Sequence, residues 1–362
     1  MLNKTAMVMA VTICMVGAGC QSHSENKKLA EMRFRKAATD IKLNLARQQY
    51  NENRFDEAEK TISECINKAP STPQAHLLFG QLLLTKGCCD EAINELTLAV
   101  ELDENLADGW YWLGLAAVEK GDYQRAYDYY SKAINLAPWN VDYILAVAEM
   151  YTAQNKYEQA IEIYKQVMLM TDDNETIAEP LGYCYLFSNK WSEAAEIFDK
   201  LAEQCRDEQR KKSYLQTAAL CSMNCAQYDR AVNCYDELSI TERNNAEIWV
   251  NIGQAALGAG AADRAFACGQ KALTLRPGYT DALALIGCAQ YAGGAYKLAA
   301  KNFEKISSDR KNGSFSRIMK ARCYEQLGKA KKAKRAYKRA MEMNPNSKLG
   351  NFLARREHKL QS

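Results

Sequence analysis

The chain has 362 residues, of which 48% are apolar and 25% charged, with only 6 prolines. This length allows two or three compact domains or one elongated array, and the scarcity of proline favours helix as the main element. The formal net charge is only +3, so the chain is not basic throughout. Its positive charge is concentrated in one segment near the C-terminus. Residues 314–347 contain ten Lys or Arg and two acidic residues, Glu325 and Glu342. The rest of the chain therefore has a net charge of about −5.

The N-terminus has the pattern of an export signal. Lys4 supplies a positive charge, residues 6–16 form an apolar core, and small residues lead to Cys20 and a polar stretch. The apolar core is shorter than the roughly 20 residues that a membrane-spanning helix needs. The segment therefore predicts export.

The junction VGAGC resembles the lipobox of bacterial lipoproteins, although Gly17 stands where that pattern usually has leucine. The resemblance implies a signal peptide over 1–19, lipidation at Cys20, and a tether and leading helix over 20–38. Gln21 after the cysteine implies sorting to the outer membrane, facing the periplasm. The alternative is an ordinary signal peptide in which Cys20 is incidental.

A period of 34 residues organises the rest of the chain. One alanine recurs at this spacing in two series, which are separated by a single step of 37 residues: Ala58, Ala92, Ala126, Ala160 and Ala194, then Ala231, Ala265, Ala299 and Ala333. Another small residue precedes each by twelve positions: Ala46, Gly80, Gly114, Ala148, Gly182, Ala219, Gly253, Gly287 and Ala321. The longer step predicts a three-residue insertion near 207–213, and the period predicts nine repeats.

These positions resemble the tetratricopeptide repeat, whose pattern is W-x2-L-G-x2-Y, then A-x3-F, then P. The third unit shows it most fully, with Trp110, Leu113, Gly114, Ala126 and Tyr130. The small residue at position 8 and the alanine at position 20 let two helices approach closely, while larger apolar residues fill the seam. Because one helix pair cannot bury its apolar face alone, neighbouring pairs must stack.

The resemblance implies an all-α fold, an α-solenoid of about nine helix-turn-helix repeats that winds into a right-handed superhelix. Repeats 1–5 are expected over 39–208, repeats 6–9 over 209–347, and a capping helix over 348–362. Gly or Asn between the two helices of most repeats suits a left-handed helix end. Pro180 falls inside an expected first helix, so we expect that helix to start late or to kink.

Catalysis is not expected. The chain has 3 histidines, His23, His76 and His358, and they cannot be combined by sequence into an acid, base and nucleophile set. No P-loop, nucleophile elbow, dinucleotide fingerprint or HExxH motif occurs. The sequence therefore predicts a non-enzymatic protein with no cofactor and no metal site.

The cysteines, 13 in all, follow the repeat rather than a metal-binding pattern. Cys184, Cys221 and Cys323 occupy position 10, whereas Cys234 and Cys268 occupy position 23. Recurrence at fixed positions predicts small apolar packing, to which free cysteine is suited. An oxidising periplasm favours pairing instead, and a bond between Cys221 and Cys234 is the first to test.

The first helix of each repeat is expected to present positions 2, 5, 6, 9 and 13 away from its core. In the tetratricopeptide family these positions line the concave groove that binds peptides or proteins. The resemblance assigns partner binding to nine residues: Leu77, Leu78, Gln81, Asp108, Tyr111, Trp112, Leu115, Tyr183 and Phe187. The alternative is that neighbouring helices cover them as core. The family's cationic clamp for a terminal carboxylate is not reproduced, because only Asn44 and Arg47 resemble it.

Near the C-terminus, residues 328–340 read GKAKKAKRAYKRA, with seven Lys or Arg and no acid. In register this is the outer helix of the ninth repeat, with its alanines and Tyr337 on the core side. A basic face remains, formed by Lys331, Lys332, Lys334, Arg335, Lys338 and Arg339. A solvated face is the simplest interpretation, followed by contact with anionic lipid or envelope polymers; nucleic acid ranks last, since no exposed aromatic residues alternate with the charges.

The sequence thus predicts a lipid-anchored, non-enzymatic scaffold of the bacterial cell envelope that binds protein partners in the groove and the membrane through its lipid. By resemblance it would serve pilus or secretion assembly, outer-membrane biogenesis, or recruitment of cell-wall enzymes. The alternative is a cytoplasmic regulatory adaptor whose N-terminus only imitates a signal.

Overall fold

The computed structural model describes residues 4–171, 175–309 and 312–343. Within them it contains eighteen α helices and no β strand. The chain forms two compact units, Met1–Thr171 and Asp172–Ser362.

The first unit contains α1 (Lys4–Asn51), α2 (Phe55–Lys68), α3 (Pro73–Thr85), α4 (Cys89–Leu102), α5 (Ala107–Glu119), α6 (Tyr123–Leu136), α7 (Val141–Ala153) and α8 (Tyr157–Met168). The second unit contains α9 (Glu175–Phe187), α10 (Trp191–Gln204), α11 (Glu208–Asn224), α12 (Tyr228–Thr241), α13 (Ala246–Gly258), α14 (Ala262–Leu275), α15 (Thr280–Ala292), α16 (Tyr296–Lys305), α17 (Gly313–Gln326) and α18 (Ala330–Met343). Within each unit every helix packs on the next one along the chain. The all-α solenoid of helix pairs is confirmed.

The helix starts follow the predicted period. The second helices of the first five repeats begin 34 residues apart, from Phe55 to Trp191, and the next one begins 37 residues later, at Tyr228. The predicted insertion is taken up in α11, which has 17 residues where the corresponding α13 has 13. Its extra turn begins at Asp207, whose carboxylate accepts a hydrogen bond from the Arg210 backbone N–H at 2.7 Å, the usual N-cap arrangement.

The recurring small residues lie where helices touch. All nine period alanines are fully buried, with 0% of their surface exposed. A Cβ added to Gly114 would lie 2.5 Å from Tyr130 Cδ1, and one added to Gly80 would lie 2.5 Å from Leu96 Cγ. In these two repeats position 8 is therefore small because the second helix of the same repeat occupies the space.

The tryptophans at position 4 close the loop that precedes each of their helices. The indole N–H of Trp110 donates to the Glu104 carbonyl at 2.9 Å, and that of Trp249 donates to the Arg243 carbonyl at 3.0 Å. Both bonds span six residues, so each half-buried ring satisfies its polar N–H locally.

The turns between paired helices contain residues with positive φ. Glycine supplies five of them, such as Gly87 (φ +79°), and asparagine three, such as Asn155 (φ 57°). The sixth repeat uses Ala226 at φ 59°, a strained conformation for a residue with a Cβ. Nothing in its sequence signals this turn, which was not predicted.

Pro180 does not delay its helix. We expected α9 to start late or to kink, yet it begins at Glu175, the first position of its repeat, so the late start is wrong. Ile177, Leu181 and Cys184 are buried along this helix, and their packing offsets the backbone hydrogen bond that proline removes.

The basic residues of α18 lie on the side of the helix opposite its buried residues. In α18, Ala333, Ala336, Tyr337 and Ala340 are buried with at most 7% exposure. Five of the six basic residues are exposed and Lys334 is half-buried.

The capping helix predicted over 348–362 lies outside the described residues. Elsewhere, among the described helices, none combines the length and apolar character needed to cross a membrane.

Candidate partner-binding surface

Two of the nine predicted groove residues lie in the core. Leu77 is 8% exposed and Leu78 is 3% exposed, so their assignment to an open groove is wrong. Leu77 belongs to the cluster that includes Leu113 of the next repeat, whereas Leu78 belongs to the cluster that includes Leu43 of the preceding one. Because α3 is covered from both sides, these leucines join repeats instead of facing a partner. Gln81, one turn further along α3, is half-buried.

The third repeat keeps its groove positions open. Tyr111, Trp112 and Leu115 are half-buried and Asp108 is exposed. The Tyr111 ring packs edge-on against Trp112, with centroids 5.8 Å apart, and it lies 5.2 Å from the ring of Tyr143. These contacts fix the rings and leave part of each accessible.

A buried tyrosine of the next repeat holds Asp108 in place. The Tyr143 hydroxyl donates to Asp108 Oδ1 at 2.6 Å, while the Tyr143 side chain is 4% exposed. Burial raises the pKa of Tyr143, and the hydrogen bond to the carboxylate raises it further. Tyr143 is therefore a neutral donor that orients Asp108 at the edge of the aromatic pair.

Further carboxylates act electrostatically on the same ring. Burial is the largest cause of the raised pKa of Tyr111, followed by the negative charges of Glu149, Asp142 and Asp108. Partial desolvation also raises the pKa of Glu149, and the charge of Asp142 adds to that shift. We use the name first-unit groove for Asp108, Tyr111, Trp112, Leu115, Asp142 and Glu149. Sequence analysis missed Asp142 and Glu149, although they occupy positions 2 and 9 of the fourth repeat.

The aromatic pair of the fifth repeat belongs to the second unit. Tyr183 is half-buried and Phe187 is 54% exposed, with their rings stacked at 6.3 Å. Tyr183 also packs on Phe198 at 5.1 Å. This pair stays a prediction as a partner-binding surface.

The first repeat has an open edge that sequence analysis also missed. Position 3 is buried in the eight later repeats: Ala75, Gly109, Tyr143, Ile177, Tyr214, Ile248, Ala282 and Ser316. In the first repeat this position is Ile41, which is 70% exposed, and Leu45 one turn later is 46% exposed. The available signal was the start of the repeat register at residue 39, with no repeat before it to cover α1. A cavity of about 750 Å³ lies beside the same helix, between Arg35 and Pro73.

The cysteines pack as predicted. Cys221 and Cys234 are both free thiols, so the bond considered between them is not formed. The Cys234 thiol instead donates to Asp199 Oδ1 at 3.1 Å. Burial raises the pKa of Cys221 and of Cys323 to about 11, which keeps both thiols neutral near pH 7. Among the described residues no group of His, Cys, Asp and Glu is placed to hold a metal ion.

Stacked helix pairs with a partly open face on their first helices define a class of repeat proteins that generally act as binding scaffolds. Models of the tetratricopeptide repeat match residues 117–179 and 151–216, residues 77–140 and 226–280, and residues 316–347. Together they cover more than half of the chain, which belongs to the tetratricopeptide repeat family. Members of this family generally bind protein or peptide partners and are generally not enzymes.

Curated relatives match short segments. The chain is 39% identical over 74 residues to the mitochondrial import receptor subunit TOM70 of Saccharomyces cerevisiae (strain ATCC 204508 / S288c), which covers 20% of this chain and 12% of that protein. It is 36% identical over 69 residues to the human protein O-mannosyl-transferase TMTC3, covering 19% of this chain and 8% of the relative. The match thus spans about an eighth of the yeast protein, and less of the human one.

Solved structures are similar over longer stretches at lower identity. The structure from a functional characterization of Pseudomonas aeruginosa pilF is 16% identical, with a TM-score of 0.44 over 68% of this chain and 96% of that one. A tetratricopeptide repeat protein from Parabacteroides merdae is 18% identical, with a TM-score of 0.41 over 69% of this chain and 98% of that one.

Proposed function

We propose that the chain is a non-enzymatic scaffold of the bacterial cell envelope, anchored through a lipid on Cys20, that binds a protein partner in the first-unit groove. The observation that carries the proposal is the half-buried pair Tyr111 and Trp112, held by packing at positions where the family binds its partners. Partly exposed aromatic residues that are already ordered lose little entropy on binding and dominate many interfaces.

The anchor rests on the N-terminal sequence. A positive charge, a short apolar core and a small-small-Cys junction occur together at residues 4–20. Such a protein would serve pilus or secretion assembly, outer-membrane biogenesis, or recruitment of cell-wall enzymes. Contact of the basic face with anionic lipid or envelope polymers is an additional proposal.

One observation favours the second candidate function, a cytoplasmic regulatory adaptor. The buried cysteines Cys221, Cys234 and Cys323 are free thiols, and thiols persist more readily in a reducing compartment than in an oxidising one. Both functions use the first-unit groove, and they differ in whether Cys20 carries a lipid.

Fractionation of bacteria that express the full chain separates them. For the scaffold, the wild-type protein is expected in the membrane fraction with a lipidated N-terminus by mass spectrometry, and the Cys20→Ala variant is expected to be soluble. A protein that is soluble in both forms would contradict the anchor and support the adaptor.

The same cells test the groove. A Tyr111→Ala/Trp112→Ala variant should lose the proteins that co-purify with the wild type. A matched control is Tyr127→Ala/Trp139→Ala, which removes the same residue types from exposed positions outside the groove. Equal losses from both variants would contradict the groove as the binding surface.

A further inference from the structure

The first-unit groove carries charges of one sign. At positions 2, 5, 6, 9 and 13 of the second to fourth repeats, the charged residues are Asp108, Glu119, Asp142 and Glu149. No Lys or Arg occupies any of these positions. None of the four carboxylates forms an ion pair with another residue in the described part of the chain. Their negative charge is therefore not neutralised from within.

Three of the four carboxylates act on the accessible ring of Tyr111. Asp108, Asp142 and Glu149 each act electrostatically on the Tyr111 hydroxyl, and Asp108 is fixed by its 2.6 Å bond from Tyr143. The face combines ordered aromatic rings with fixed anions. A Lys or Arg side chain fits both, because its aliphatic stem packs on a ring, its charge is attracted by the ring face, and its head group pairs with a carboxylate.

We infer that the first-unit groove binds a partner protein through an extended or helical segment rich in Lys and Arg. This inference rests on the proposed function, since it names the partner's chemistry at the same surface. The charge of this groove is opposite to that of the family's cationic clamp, which binds a terminal carboxylate. Charge complementarity of this kind sets the choice of partner and speeds association.

Peptide binding to the full-length Cys20→Ala chain tests the inference. The probes are two fluorescein-labelled peptides of equal length, one alternating Lys and Leu and the other alternating Glu and Leu. The Lys–Leu peptide should bind more tightly, and its affinity should fall as ionic strength rises, because salt screens exposed charges. Equal binding of the two peptides would overturn the inference.

A charge-neutralising variant locates the interaction. Asp142→Asn/Glu149→Gln should weaken binding of the Lys–Leu peptide by about tenfold. The control Glu158→Gln/Glu162→Gln removes the same charge from exposed positions on α8 of the same repeat, and it should stay within about twofold of the parent. Equal effects of the two variants would mean that only net charge matters and would overturn a specific site.

The pH dependence has a definite sign. The attraction requires ionised carboxylates, and the pKa of Glu149 lies above that of an ordinary glutamate. As pH falls, Glu149 therefore loses its charge earlier than an exposed glutamate does, whereas the lysines of the peptide stay charged. Affinity for the Lys–Leu peptide should be full near neutral pH and fall in mild acid; a flat profile would contradict the role of Glu149.

The outcomes separate this inference from the proposed function. If proteins that co-purify are lost with Tyr111→Ala/Trp112→Ala but unaffected by Asp142→Asn/Glu149→Gln, the groove binds a partner that is not basic, and only the inference fails. If neither variant changes co-purification, both fail. If sedimentation shows dimers that Asp142→Asn/Glu149→Gln dissociates, the occupant is the basic face of a second copy, which overturns a separate partner.

Discussion

Replacing Ile248 with alanine should destabilise the second unit by about 2–4 kcal/mol, whereas Ile41→Ala should change the stability of the first unit by less than about 0.5 kcal/mol. The two isoleucines occupy position 3 of their repeats. Ile248 is 3% exposed in the core around Ile252 and Leu238, but Ile41 is 70% exposed. Truncating the side chain to alanine therefore leaves a cavity at Ile248, whereas at Ile41 it only removes surface that is already exposed to solvent.

Urea unfolding of the full chain, followed by circular dichroism, checks this pair. Each variant is compared with the wild-type curve, because repeat arrays can unfold in more than one step. A shift for Ile41→Ala as large as that for Ile248→Ala would contradict the open edge and would show that α1 is covered in solution.

Replacing Gly114 with leucine should cost about 3 kcal/mol or more. A Cβ at this position already comes 2.5 Å from Tyr130 Cδ1, and Tyr130 is 1% exposed, so its ring has no free space to enter. The better helix propensity of leucine returns only about 1 kcal/mol. The two helices of the third repeat would have to separate.

Gly182→Ala is the matched control at the same position of the fifth repeat. A Cβ there would lie 3.1 Å from Phe198 Cζ and from Ile197 Cγ2, a distance that small shifts relieve, so the change should stay within about 1 kcal/mol of neutral. Thermal unfolding of both variants provides the comparison. If Gly114→Leu is as stable as Gly182→Ala, close helix contact is not the reason for small residues at position 8.

The fold could be predicted because one physical constraint repeats. At position 20 of each repeat the helices approach so closely that a small side chain is needed, and so the alanine period marks every second helix and the 37-residue step locates the longer α11. The positive φ of Ala226 could not be predicted from its residue type. Its left-handed turn is imposed by the helices on either side, not by the residue itself.

The site was predicted less completely than the fold, because exposure depends on neighbouring repeats. Leu77 and Tyr111 occupy the same position, yet one is core and the other half-open. The register alone does not distinguish them. Asp142 and Glu149 enter the first-unit groove only through packing of the fourth repeat beside the third, which the pattern of a single repeat does not contain.

The basic face shows that the position of a segment within the repeat limits how its composition can be interpreted. Seven cations in thirteen residues suggest a nucleic-acid arm when the segment is considered alone. Within the repeat, Ala333 and Tyr337 belong to the core, and the cations form one side of a structural helix. Partner binding is therefore better sought in the first-unit groove, where rings and charges are held together.

Site-specific photo-crosslinking in living cells tests the central claim most directly. Benzoylphenylalanine replaces Leu115 in the first-unit groove or, as a control, Tyr127 on α6, which is 43% exposed. We expect position 115 to yield a discrete crosslinked partner whose attached peptide is rich in Lys and Arg, and position 127 not to yield it. The same products from both positions, or none from position 115, would contradict binding in the groove.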